Sequence, residues 1–116
     1  MFSSDPPEIV AEESYNENNN SIQLELVCIV HASPRPTISW YKNANRINIS
    51  TIEQGNGREP RHLNDDAQRI RITKIGRKHI LTINQIMSEH DEGTYTCHAV
   101  NEIGEAKHNF QVASEF

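Results

Sequence analysis

Six segments of this chain carry apolar residues at every second position, and no stretch holds a helical apolar period for three turns. In SIQLELVCIVHA, Leu24, Leu26, Cys28 and Val30 share one face while Gln23, Glu25 and Val27 share the other, the period of a half-buried strand. TISWYKN repeats the pattern with Ile38 and Trp40, RIRIT with Ile70 and Ile72, and HILTI with Leu81 and Ile83. GTYTCHAV continues it with Tyr95, Cys97 and Ala99, and EAKHNFQV closes it with Phe110 and Val112. Between the first two segments, Ser33-Pro34-Arg35-Pro36 contains two residues that cannot donate to a ladder, so the chain turns there. Short strands separated by polar turns predict an all-β chain, a sandwich or a barrel.

At 116 residues the chain is long enough for one compact domain and too short for two. The net charge of -5 argues against general nucleic-acid binding, which needs a basic excess to track phosphates. The charge is unevenly spread. Up to Pro34 the Asp and Glu residues are Asp5, Glu8, Glu12, Glu13, Glu17 and Glu25, with no Lys or Arg, whereas the segment from Arg58 to Lys78 is rich in Arg and Lys. No apolar run is long enough to span a membrane, and MFSSDPP lacks the basic start and apolar stretch of a secretion signal. No direct membrane insertion is expected of this fragment, and its compartment does not follow from the missing signal.

The two cysteines lie 69 positions apart and allow two free thiols, an incomplete metal site or one disulfide. Zinc sites usually show close Cys or His pairs, and neither cysteine has one at finger spacing. A disulfide is the reading carried forward, with free thiols as its alternative. On a chain-entropy model a bridge closing such a loop stabilises a small domain by about 4 kcal/mol.

Cys28, Trp40, Leu81-x-Ile83 and DEGTYTC (Asp91, Gly93, Tyr95, Cys97), followed by HAVNEIGEA, resemble the immunoglobulin superfamily and its I-set in particular. The resemblance covers residues 7 to 112, leaving 1–6 and 113–116 as flanking linker or appended residues. It implies a two-sheet antiparallel Greek-key sandwich, with a Cys28–Cys97 bridge between the sheets and Trp40 packed against it. Tyr95 matches the tyrosine-corner position, where the phenol hydroxyl bonds backbone upstream. ASPRPTISWYKN and NEIGEA are similar to segments of lachesin-, amalgam- and IgLON-like neural cell-adhesion proteins. The chain departs from the family pattern over residues 43–68, a long polar segment. There we expect a short edge strand around Arg46 to Ile49, then a mobile loop that is least ordered and most protease-sensitive from Gln54 to Ala67.

Two sequons, Asn19-Asn20-Ser21 and Asn48-Ile49-Ser50, mark candidate glycosylation sites at Asn19 and Asn48. With a paired Cys28–Cys97 they point to an extracellular setting, at the cell surface or secreted. Intracellular sarcomeric I-set domains are the structural alternative. Catalysis and cofactors are not expected. Glu89, Asp91 and Glu92 fall where the family has a turn, and Asp91 is better read as a hydrogen-bond acceptor or the partner of Arg71. The six histidines have no i,i+4 or His-x-His pairing for a metal.

Recognition remains. The resemblance implies a partner face on the sheet of the third, sixth and seventh strands, with Tyr41, Thr96, His98 and Val100 outward. A second candidate is a basic patch of Arg69, Arg71, Lys74, Arg77 and Lys78, suited to heparan sulfate or an acidic protein. For both, an ordinary solvated surface is the competing reading. The partners implied are a homophilic or heterophilic cell-surface protein and neighbouring immunoglobulin-like domains in the same chain. The alternative function is a ligand-binding module of a receptor or of a secreted growth-factor-binding protein.

Overall fold

A computed structural model describes residues 4–18, 21–48, 51–53, 70–84 and 91–113. The described strands are β1 (Asp5–Asn18), β2 (Ser21–Ser33), β3 (Thr37–Lys42), β4 (Asn45–Arg46), β5 (Thr51–Glu53), β6 (Ile70–Ile75), β7 (Lys78–Ile83), β8 (Gly93–Val100) and β9 (Glu105–Val112). They form two sheets, one ordered β1-β2-β7-β6-β5 and the other β4-β3-β8-β9. Every pairing is antiparallel except β5 with β6, which is parallel.

The alternation read from the sequence sets which residues meet between the sheets. Leu24, Leu26, Cys28 and Val30 from β2, Ile70 and Ile72 from β6, and Leu81 and Ile83 from β7 are buried on one side. Trp40 from β3, Tyr95, Cys97 and Ala99 from β8, and Phe110 and Val112 from β9 are buried opposite them. Each fully buried Leu or Ile side chain contributes about 1.5–3 kcal/mol relative to exposure. Ile9, Ala11, Ile38 and Ile47 pack against the margin of this core.

Cys28 and Cys97 are disulfide-bonded, tying the middle of β2 in one sheet to the middle of β8 in the other. Trp40 is the cross-strand partner of Cys97 and stacks on Phe110, ring centroids 6.2 Å apart. The Tyr95 hydroxyl donates to the backbone carbonyl of Asp91 at 2.8 Å, the upstream bond expected of a tyrosine corner. Asp91 is fully buried, while Arg71 lies exposed on the other face of β6 from Ile70 and Ile72. The expected Arg71–Asp91 pair does not form.

The edge strand lies earlier than expected, at Asn45–Arg46 rather than Arg46 to Ile49. Asn43 and Ala44 both take positive φ, 51° and 69°, which makes the tight two-residue hairpin whose twist matches its strands. That turn returns the chain at once, pairing Asn45 with Lys42 and Arg46 with Tyr41. Ile47 then donates its backbone N–H to the Trp40 carbonyl at 2.9 Å. The loop expected from Gln54 to Ala67 lies outside the described residues.

Candidate recognition surface

The outer face of the β4-β3-β8-β9 sheet gathers all four residues assigned to it. Because Trp40, Cys97 and Ala99 turn into the core, Tyr41, Thr96, His98 and Val100 turn out. Tyr41 and Thr96 are register partners, and the Tyr41 and His98 rings lie 6.4 Å apart at a tilt of 52°. Val100, at the end of β8, is 38% exposed.

β9 completes this face with Glu105, Lys107, Asn109 and Gln111, which the sequence reading did not single out. Side-chain hydrogen bonds join three of them to β8. Thr94 Oγ1 donates to Gln111 Oε1 at 3.0 Å, Thr96 Oγ1 to Asn109 Oδ1 at 2.7 Å, and His98 Nε2 lies 2.8 Å from Glu105 Oε2. The signal was present in the sequence. With Phe110 and Val112 inward, period two alone puts Asn109 and Gln111 outward. The result is a polar ladder along β8 and β9, with the Tyr41–His98 ring pair bridging β3 and β8 beside it and an apolar end at Val100 and the exposed Ile103.

Among its described residues, the basic segment divides between the outer face of β6 and the end of the sandwich. Arg71 is exposed on the outer face of β6, whereas Lys74 shares the parity of Ile70 and Ile72 and lies half-buried at the end of the sandwich. Arg77 and Lys78 are exposed around the β6–β7 turn, and Arg69 lies outside the described residues. Lys74 pairs in register with His79, whose pKa falls from 6.5 to about 4 through burial first and the Lys74 charge second.

Asn48 is exposed just after β4, and Asn19 lies outside the described residues. Among the described residues, no group of three or more His, Cys, Asp or Glu side chains could hold a metal, and no helix is long and apolar enough to cross a membrane.

Residues 7–113 match the family model of the immunoglobulin I-set domain. The chain is 32% identical over 107 residues to the muscle M-line assembly protein unc-89 of Caenorhabditis elegans, covering 88% of this chain and 1% of that protein. It is 30% identical over 98 residues to the limbic system-associated membrane protein of Rattus norvegicus, covering 84% of this chain and 24% of that protein. The chain thus spans a quarter or less of these relatives. A solved structure of titin M4 superposes with a TM-score of 0.69 at 18% identity, covering 97% of this chain and 98% of the other, and so shares the fold. Matched over nearly its whole length, pinned between sheets by Cys28–Cys97 and cornered by Tyr95, the chain belongs to the immunoglobulin I-set family.

Proposed function

We propose that this chain is an extracellular module of a multi-domain cell-surface protein, and that it serves protein–protein recognition in cell adhesion. The observation that carries the reading is the Cys28–Cys97 bridge, because such bonds persist in oxidising compartments and are rare where thiols are kept reduced. The sequon that begins at the exposed Asn48 and the likeness to limbic system-associated membrane protein support the same setting. Recognition is assigned to the outer face of the β4-β3-β8-β9 sheet, with neighbouring immunoglobulin-like domains in the same chain holding that face in place.

A sarcomeric role is the second reading, favoured by the likeness to unc-89. The two part on the state of the thiols. Native protein taken from its own cells and alkylated under denaturing, non-reducing conditions is expected to show no label at Cys28 or Cys97, and a glycan on Asn48. Two labelled thiols and an unmodified Asn48 would transfer the assignment to the intracellular reading.

A further inference from the structure

At the end of the sandwich where the β2–β3 loop meets the β6–β7 turn, a half-open pocket of about 520 Å³ is lined by three cations from three separate elements. Arg35 comes from the β2–β3 loop, Lys74 from the end of β6 and Arg77 from the turn. The turn is held over β2 by a bond from Val30 N–H to the Arg77 carbonyl at 3.0 Å, and the Arg77 side chain reaches within 3.3 Å of His31 Nδ1. Gly76, at φ 59°, supplies the left-handed residue that this two-residue connection requires.

No carboxylate lines this pocket among the described residues, and none of the three cations is in an ion pair among them. On a chain of net charge -5 that is a local reversal of sign. His79, also in the lining, registers it: after burial, the Lys74 charge is the second cause that lowers its pKa. Val30, Pro36 and Ile75 add apolar walls to the same lining.

We infer that this pocket binds an acidic saccharide unit carrying more than one sulfate, as in a sulfated glycosaminoglycan chain. Guanidinium forks and an ammonium group are suited to sulfate oxygens, and three of them around one opening need a ligand with several separated anionic groups. The C–H faces of a sugar ring fit the apolar walls. The volume lies in the range of small-ligand sites, with room for a ring as well as its anionic groups. A protein partner would instead need a broad patch of roughly 800 Å² with an apolar centre, and around this pocket the exposed side chains are His31, Arg35, Arg77 and Lys78, with Pro34 and Ile75 as the exposed apolar ones. The site is separate from the outer face of the β4-β3-β8-β9 sheet, so it stands whether or not that face binds a partner.

The test is calorimetric titration of the 116-residue chain with a heparin-derived tetrasaccharide, its desulfated counterpart and a glutamate-rich peptide. We expect the sulfated tetrasaccharide alone to bind, with Arg35→Gln, Lys74→Gln and Arg77→Gln each weakening it about tenfold, the loss of one charge-assisted bond. Arg71→Gln, on the outer face of β6, should leave it unchanged. In the wild-type chain, the His79 ring resonances should report a pKa raised toward its ordinary value when the tetrasaccharide is bound, a readout that does not depend on any variant folding. Equal binding by wild type and all three variants, or binding of the desulfated sugar, would overturn the proposal. Binding of the glutamate peptide without the sugar would also overturn it and assign the pocket to an acidic protein segment.

Discussion

Asn43 and Gly93 are fitted to one another across the β3–β4 turn: a Cβ on Gly93 would lie 2.7 Å from Asn43 Oδ1. Asn43 Oδ1 accepts the backbone N–H of Thr94 at 3.0 Å, and the Asn43 backbone N–H donates to the Thr94 carbonyl at 2.8 Å. One asparagine thus sets the hairpin turn with its positive φ and ties it to the start of β8. Gly93, at φ 146°, is the residue that leaves room for it.

Gly93→Ala should therefore destabilise the domain by about 1–3 kcal/mol through backbone conformation and crowding together. Asn43→Ala loses the bond to Thr94 but removes the atoms that the new methyl group meets. In chemical denaturation the double variant should lose less stability than the sum of the two single losses, the coupling expected of residues in contact. Strict additivity would show that the φ of Gly93 alone sets the cost.

Trp40→Ala should cost about 3–5 kcal/mol, the penalty of a large core cavity. Trp40→Phe should cost much less. The indole Nε1 is buried with no hydrogen-bond partner among the described residues, so the replacement discards an unsatisfied donor while keeping much of the contact with Phe110. Urea denaturation of both variants measures the difference. A loss under about 1 kcal/mol for the alanine variant would contradict the burial of Trp40 beside the bridge.

The inward sets of β2, β3, β6, β7, β8 and β9 were legible because period two fixes parity as soon as one core residue is known. The 14-residue β1 was not read as a strand, and two further features were not legible. The turn at Asn43 and Ala44 depends on positive φ at an alanine, a choice that local preference opposes and tertiary bonds from Asn43 enforce. The pocket draws Arg35 together with Lys74 and Arg77 from distant parts of the chain, and no spacing rule reveals such a meeting. In the basic segment, the same parity that turns Arg71 outward puts Lys74 on the inward side with Ile70 and Ile72.

His79 makes stability fall with acidity. Its folded pKa of about 4 lies below the ordinary 6.5, so between those values the unfolded chain binds a proton that the folded chain does not. Its contribution is fully present above about pH 6.5, declines as pH falls toward 4, and levels off below that. Because the ring is only partly buried, solvent screening makes the loss smaller than the full shift implies. Urea midpoints measured from pH 7 to pH 4 should drop less steeply in His79→Gln than in the parent chain. Parallel slopes would mean that His79 is not the group responsible.

The partner face is tested by separating it from long-range charge. His98→Glu sets a carboxylate beside Glu105, where His98 Nε2 now lies 2.8 Å away, and it alters the contact with Tyr41 without touching the core. If recognition uses this face, binding of the intact protein to its partner, or to itself, should weaken at least tenfold in that variant, while a thermal scan stays close to that of the parent. Arg71→Glu, on the opposite sheet, should have little effect. Added salt discriminates further. Contacts within a desolvated interface persist once the Debye length shrinks below about 8 Å, whereas attraction between exposed charges fades. Loss of binding in Arg71→Glu and in high salt, with His98→Glu neutral, would transfer recognition to the basic side of the domain. If neither variant changes binding, the domain is a spacer and its neighbours make the contact.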